Sequence, residues 1–204
     1  MLDVQVLTDP ASSQKALAAI VTWAKTLDLA YAWAASAGGT APHWTVIPLE
    51  KVRRAIIGTH FAQTEPLVLR RLLAHGNLRV VADTGGVFHP KLLIGLVGSE
   101  ARALLGSSNL TPGGFAGNTE ANVLLTGSAS DPAFKQLLAF MDQQWTHPRA
   151  FEPDDEWLEE YEQLYESRPT PPKMRPRKPP SRIVESGDDL DLEWPAFVEL
   201  ISRQ

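Results

Sequence analysis

Short apolar runs alternate with longer amphipathic segments over roughly the first 145 residues, and that alternation allows few architectures other than an α/β sheet layered with helices. "VQVLTD" (4–9) predicts a buried first strand. Ser12 or Ser13 then caps a helix whose Leu17, Ile20, Val21, Ala24 and Leu27 share one face. "LDLAYAWAAS" (27–36), "VRRAIIGTH" (52–60) and "NLRVVAD" (77–83) read as further strands, the first ending at the Gly38-Gly39 break. A helix lies between the last two, with Thr64 as its cap, Pro66 in its first turn and Gly76 past its end. "ARALLGSS" (101–108) and "EANVLLTG" (120–127) add two more strands. Asp131-Pro132 starts a helix with Phe134, Leu137, Leu138, Met141 and Trp145 as its buried stripe.

Composition narrows the chemistry. The chain has 204 residues and no cysteine, so disulfides, thiolate metal ligands and a thiol nucleophile are excluded within it. "MLDVQVLTDP" lacks the basic start of a signal peptide, and no apolar run is long enough for a membrane span. A soluble, cytoplasmic protein is the expectation. Residues 1–150 hold 12 Lys+Arg against 10 Asp+Glu, whereas 151–204 hold 7 against 14. The acidity therefore belongs to the tail, and the main body is weakly basic, which permits a nucleic-acid partner without demanding one.

Four stretches follow from this reading: a main domain over 1–148, an acidic amphipathic helix over 149–167, a Pro-rich then acidic linker over 168–193, and a short helix or the start of a further domain over 194–204. The acidic helix puts Trp157, Leu158, Tyr161, Leu164 and Tyr165 on one side. The tail is a candidate docking segment for a further domain or partner subunit.

The chemistry-bearing stretch is "FHPKLLIGLVGSEARALLGSSNLTPGGFAGNTE". Side chains alternate along a strand, so His89, Lys91 and Leu93 point one way while Phe88, Leu92 and Ile94 point the other. Ser107 and Asn109 stand at a chain reversal, "TPGG" supplies a flexible turn, and Glu120 leads into the next strand. Neutral imidazole is a competent nucleophile near pH 7, and its protonated form can deliver a proton to a leaving oxygen. Lys91 and Asn109 suit the charged oxygens of a five-coordinate phosphorus. A carboxylate such as Glu120 is placed to orient the His89 ring through its other nitrogen. No metal cluster and no cofactor motif is apparent.

His89-Pro90-Lys91 followed by Gly106-Ser107-Ser108-Asn109 resembles the HxK…GSxN signature of the phospholipase D superfamily. Leu96 stands where the usual form carries an Asp. The fuller pattern through Glu120 is similar to the branch containing metal-independent restriction endonucleases, in which a glutamate after the GSxN turn joins the site. The resemblance is loose over 1–146 and sharp over 88–120. It implies a mixed β-sheet sandwiched between helices, with His89, Lys91, Asn109 and Glu120 catalytic; Ser107, Ser108 and Thr111, and His60 from its place at a strand end, are the candidate substrate contacts. It further implies DNA cleavage through a covalent phosphohistidine, in a restriction or phage-defence setting. That mechanism uses two histidines, and the chain has one such motif, so the resemblance implies a homodimer sharing one site. The rivals are a lipid phosphodiesterase or transphosphatidylase of the same superfamily and a catalytically silent binding module.

Other residues have blander readings beside the functional ones. Ser107 either closes its turn or contacts phosphate, and Asn118 is better suited to holding a backbone turn. "HPR" at 147–149 lacks a following GSxN, which makes His147 a helix-end residue; His75 is another, and His43 sits in a loop. Arg53-Arg54 and Arg70-Arg71 either meet a phosphate backbone or are solvated faces.

Overall fold

A computed structural model describes residues 1–36, 47–82 and 85–169. The Gly38-Gly39 break, His43, the linker beyond residue 169 and the final short segment lie outside the described residues. Met1–Arg168 form one compact unit.

The unit is built on an eight-stranded mixed sheet in the order β1-β7-β6-β5-β2-β3-β4-β8. In chain order the strands are β1 (Asp3–Leu7), β2 (Thr26–Tyr31), β3 (Val52–Gly58), β4 (Leu78–Val81), β5 (Lys91–Val97), β6 (Glu100–Gly106), β7 (Asn122–Ser128) and β8 (Ala150–Phe151). The helices are α1 (Pro10–Trp23), α2 (Pro66–Leu73), α3 (Pro132–Trp145) and α4 (Asp155–Ser167). β2 pairs in parallel with β3 and β3 with β4, and all other pairings are antiparallel.

Strand alternation divides the interior into two cores. Leu27, Leu29, Tyr31 and Leu93 face α1, α2 and α4, whereas Ala30, Ile56, Ile94 and Phe88 face α3. Phe88, Leu92 and Ile94 thus lie opposite Leu93, as period two requires. Leu96 joins the α3 side as a partly buried apolar residue.

Several expectations need correction. β1 is an edge strand paired only with β7, and Val4 and Val6 are exposed rather than buried. Asp9, not Ser12 or Ser13, caps α1: its carboxylate accepts from the Ser12 N–H, and Pro10 takes the first position. Leu27 belongs to β2, since α1 ends at Trp23. Strand β2 stops at Tyr31, and Ala34 makes only an isolated bridge to Leu110. Thr64 does not cap α2; its hydroxyl donates 2.6 Å to Gly58 O and accepts from Ala34 N–H, while Glu65 takes the cap position. Leu164 on α4 is exposed, whereas Leu158 and Tyr161 are buried.

A buried ion cluster ties the centre of the sheet to α3. The Asp28 carboxylate, only 1% exposed, takes hydrogen bonds from Arg53 and Arg54, and Arg54 also reaches Asp142 on α3. The Arg53-Arg54 pair is therefore structural. Burial pushes the Asp28 carboxyl up, but the hydrogen bonds and charges of the two guanidinium groups more than offset this and hold it below the ordinary carboxylate value. A depressed folded-state pKa gives stability that is present above the unfolded value near 4 and lost as pH falls through the folded one. Asp28→Ala is expected to lower stability by about 3 kcal/mol at pH 7, since it removes the buried partner of both guanidinium groups and leaves Arg54 only the exposed Asp142. Urea denaturation of both proteins at pH 7 and pH 3 checks this, and the gap between them should narrow at pH 3.

Candidate active site

Five strands end at one edge of the sheet. Tyr31 at the end of β2 pairs with Lys91 at the start of β5, Leu92 pairs with Leu105 near the end of β6, and Gly106 pairs with Asn122 at the start of β7. β3, parallel to β2, ends there at Gly58. The loops carrying His60, His89, Asn109 and Glu120 all leave from this edge.

His89 and Lys91 meet directly. The Lys91 Nζ lies 2.8 Å from Nδ1 and 2.9 Å from Nε2 of the His89 ring, and it donates 3.1 Å to the His89 carbonyl. The His89 ring is exposed, while Lys91 is only 9% exposed. Desolvation first, and the Lys91 charge second, hold the His89 imidazole below its ordinary value. Desolvation likewise lowers Lys91, with the Glu120 carboxylate acting in the opposite direction. The neutral imidazole, the form with a free lone pair, is thereby favoured at neutral pH.

Glu120 is held by its neighbours rather than by the His89 ring. Its carboxylate accepts from the Ser107 hydroxyl and, at 3.0 Å, from Asn118 Nδ2. Ser107 in turn accepts from Ala121 N–H at 2.9 Å. Lys91, not Glu120, approaches the imidazole, because the carboxylate is committed to Ser107 and Asn118. Asn118 is accordingly part of the site's support and not merely a turn residue.

The Gly106–Asn109 corner is shaped by close backbone approach. A Cβ on Gly106 would overlap Ala121 O, and one on Gly114 would overlap Asn109 O, so each position excludes side chains. Gly113–Gly117 form a π-helical turn where a flexible turn was expected, and Thr111 Oγ1 accepts from Gly114 N–H at 3.1 Å. Ser108 is only 3% exposed, and its hydroxyl accepts from Asn122 Nδ2, which also donates to Ser13 on α1. Ser108 therefore pins the loop to the core instead of facing the site. The Asn109 Oδ1 is buried with no hydrogen-bond partner among the described residues. Such atoms are rare in folded proteins.

Sequence reading missed Trp33. Its ring packs edge-on to His89, 5.1 Å between centroids at 78°, and its face lies 5.6 Å from Lys91 Nζ. The Trp33 indole N–H donates to His60 O at 3.2 Å, which draws the 60–62 turn toward the site. The signal was masked because "LAYAWAAS" reads as continuous strand, while β2 ends before Trp33. Asn122 was missed for a similar reason, as an ordinary strand residue. Arg70 pairs with Glu162 on α4, and His147 sits just past α3, where its Nδ1 accepts from Arg149 N–H. Neither joins the site.

The geometry sets a titration test that involves no reaction. In Lys91→Met the nearby positive charge is gone, so protonation of His89 becomes easier and its NMR titration midpoint should move upward. An unchanged midpoint would mean that the ammonium does not act on the imidazole in solution.

No protein-family model and no curated protein sequence matches the chain. Among solved structures it is similar to the phospholipase D family member Nuc from Salmonella typhimurium, at 18% identity and a TM-score of 0.58 over 75% of this chain and 100% of that one. It also aligns with NucT from Helicobacter pylori at 11% identity over 75% of this chain and 100% of that one, TM-score 0.46. Yeast tyrosyl-DNA phosphodiesterase aligns at 11% identity over 79% of this chain and 41% of that one, TM-score 0.40. The fold is phospholipase D-like.

Proposed function

We propose that this phospholipase D-like unit is a phosphodiesterase that cleaves DNA without a metal, using His89 as nucleophile in a site completed by a second copy of the chain. The observation that carries the reading is the His89–Lys91 pair at 2.8 Å, with Glu120 near enough to act on Lys91. A neutral nucleophile beside a buried cation suits attack on an anionic phosphodiester. The cation attracts the substrate and lowers the cost of added negative charge on phosphorus.

The step runs as follows. A ring nitrogen of His89 attacks phosphorus, and Lys91 and Asn109 receive the charge that builds on the non-bridging oxygens. The bond from phosphorus to the leaving oxygen breaks, and that oxygen takes a proton from a second imidazolium. Water, deprotonated by the same second imidazole, then hydrolyses the phosphohistidine and regenerates His89. One chain supplies one His–Lys motif, so the second imidazole comes from the same residue of a two-fold-related copy. Glu120, braced by Ser107 and Asn118, favours the charged form of Lys91. Thr111, which braces the π-helical turn, and His60 line the approach. A restriction or defence role rests on resemblance alone.

Incubation with labelled DNA in EDTA tests the chemistry. Cleavage and an acid-labile protein–nucleotide adduct are expected, with both absent in His89→Ala. Phosphatidylcholine vesicles serve as the rival substrate, and hydrolysis of lipid but not DNA would overturn the reading. Mixing equal amounts of wild type and His89→Ala after subunit exchange tests sharing of the site: about a quarter of the activity should remain if both copies are needed, against about half for independent subunits.

A further inference from the structure

The proposed reaction leaves one feature of the site's rim without a role. Phe61 and Ala62 both adopt left-handed backbone, with φ of 61° and 48°, although neither is glycine. Consecutive left-handed residues with side chains are costly, and such strain persists only where the surroundings impose it. Here they do so from three directions. Arg168 Nη1 donates to Ala62 O at 2.6 Å, Tyr161 OH donates to Thr64 O at 2.7 Å, and the Trp33 indole holds His60 O. The outcome of this clamping is to hold out a phenyl ring that is 68% exposed.

Phe61 lies next in line to the reacting groups. Its ring meets Trp33 edge-on at 6.5 Å, and Trp33 meets His89 edge-on at 5.1 Å. A flat apolar face therefore stands one side chain away from the imidazole and ammonium that handle phosphate, within a nucleotide or two of the scissile bond. A nucleotide carries that same combination, a planar ring tethered to an anion. In an intact duplex each base is stacked on its neighbours and unavailable, so a base that stacks on Phe61 must be unpaired.

Resting on the phosphodiesterase reading above, we infer that Phe61, backed by Trp33, is a stacking platform for an unpaired base of the scissile strand, which makes single-stranded or frayed DNA the substrate class. Phe61 is a specificity determinant and touches no reacting atom. The strained turn keeps its ring in place before the substrate arrives, so little side-chain entropy is lost on binding.

The test uses the full chain, with oligonucleotides of one sequence in single-stranded and blunt duplex form, and 2-aminopurine as the reporter base. Wild type should cleave the single strand at least tenfold faster than the duplex. Phe61→Ala should raise KM for the single strand about tenfold, the worth of one base–aromatic stack, with kcat little changed. Phe61→Tyr should restore it. In the non-cleaving His89→Ala background the bound 2-aminopurine should be quenched, and adding Phe61→Ala should abolish the quenching. Phe61→Gly, which relieves the backbone, should melt no lower than wild type and still bind weakly, separating stacking from folding.

Equal cleavage of both forms, or a Phe61→Ala enzyme with unaltered KM, would overturn the platform and leave the nuclease reading standing. No cleavage of any nucleic acid by wild type would instead remove the reading on which it rests. Conversion of a wild-type dimer to monomers by Phe61→Ala in size-exclusion chromatography would overturn the platform by making the ring a subunit contact.

Discussion

The register between β2 and β5 is the constraint on which the rest of the structure depends. Tyr31 lies opposite Lys91, so the end of a central strand and the start of its antiparallel neighbour coincide. Because β2 is also parallel to β3, the end of β3 arrives at the same edge. A shift of one residue would turn Lys91 toward the α3 core and carry Leu92 to the site, since strand side chains alternate. The two cores prevent that slip. Leu93 is buried with α1 and α2 while Ile94 is buried with α3, and exchanging them would misplace apolar volume on both faces.

Polar residues behind the edge hold the loops in place. Asn122, 2% exposed, joins Ser108 to Ser13 and so fixes the Gly106–Asn109 corner to α1. The Asp28 cluster joins β2, β3 and α3 deeper in the sheet. Both rest on hydrogen-bonded polar groups buried in the sheet, Asn122 and Asp28, which give directional constraints that apolar contacts lack. The site itself is less satisfied. Lys91 is desolvated against an imidazole, and Asn109 Oδ1 is buried without a partner among the described residues. The polar groups that anchor the core and those of the candidate site are thus different groups of one sheet.

α4 connects the acidic segment to the site. Its Tyr161 and the following Arg168 bond to carbonyls of the 62–64 stretch, and Leu158 is buried with the α1–α2 core. The helix is therefore part of the compact unit rather than an appendage, and its acidic face is the solvated one. Trp157 stacks flat against Tyr161 at 5.2 Å, adding an apolar brace.

The sequence by itself determined the alternation of strands and helices, the burial of most strand faces and the spacing of the candidate site residues. The two-residue period around Phe88–Ile94, the Asp-Pro start of α3 and the His89…Asn109…Glu120 spacing are local, and local rules govern them. No local rule revealed that β1 is an edge strand, because an apolar alternation looks alike whether or not a helix covers it. The partner of Lys91 was equally hidden: periodicity placed His89 and Lys91 on one side, but only packing put the ammonium on the ring and tied Glu120 to Ser107 and Asn118. Trp33 and the left-handed turn at Phe61 were decided by tertiary structure alone. Their conformations come from bonds to residues 27 to 106 positions away, and such distant carbonyls leave no mark in a sequence window.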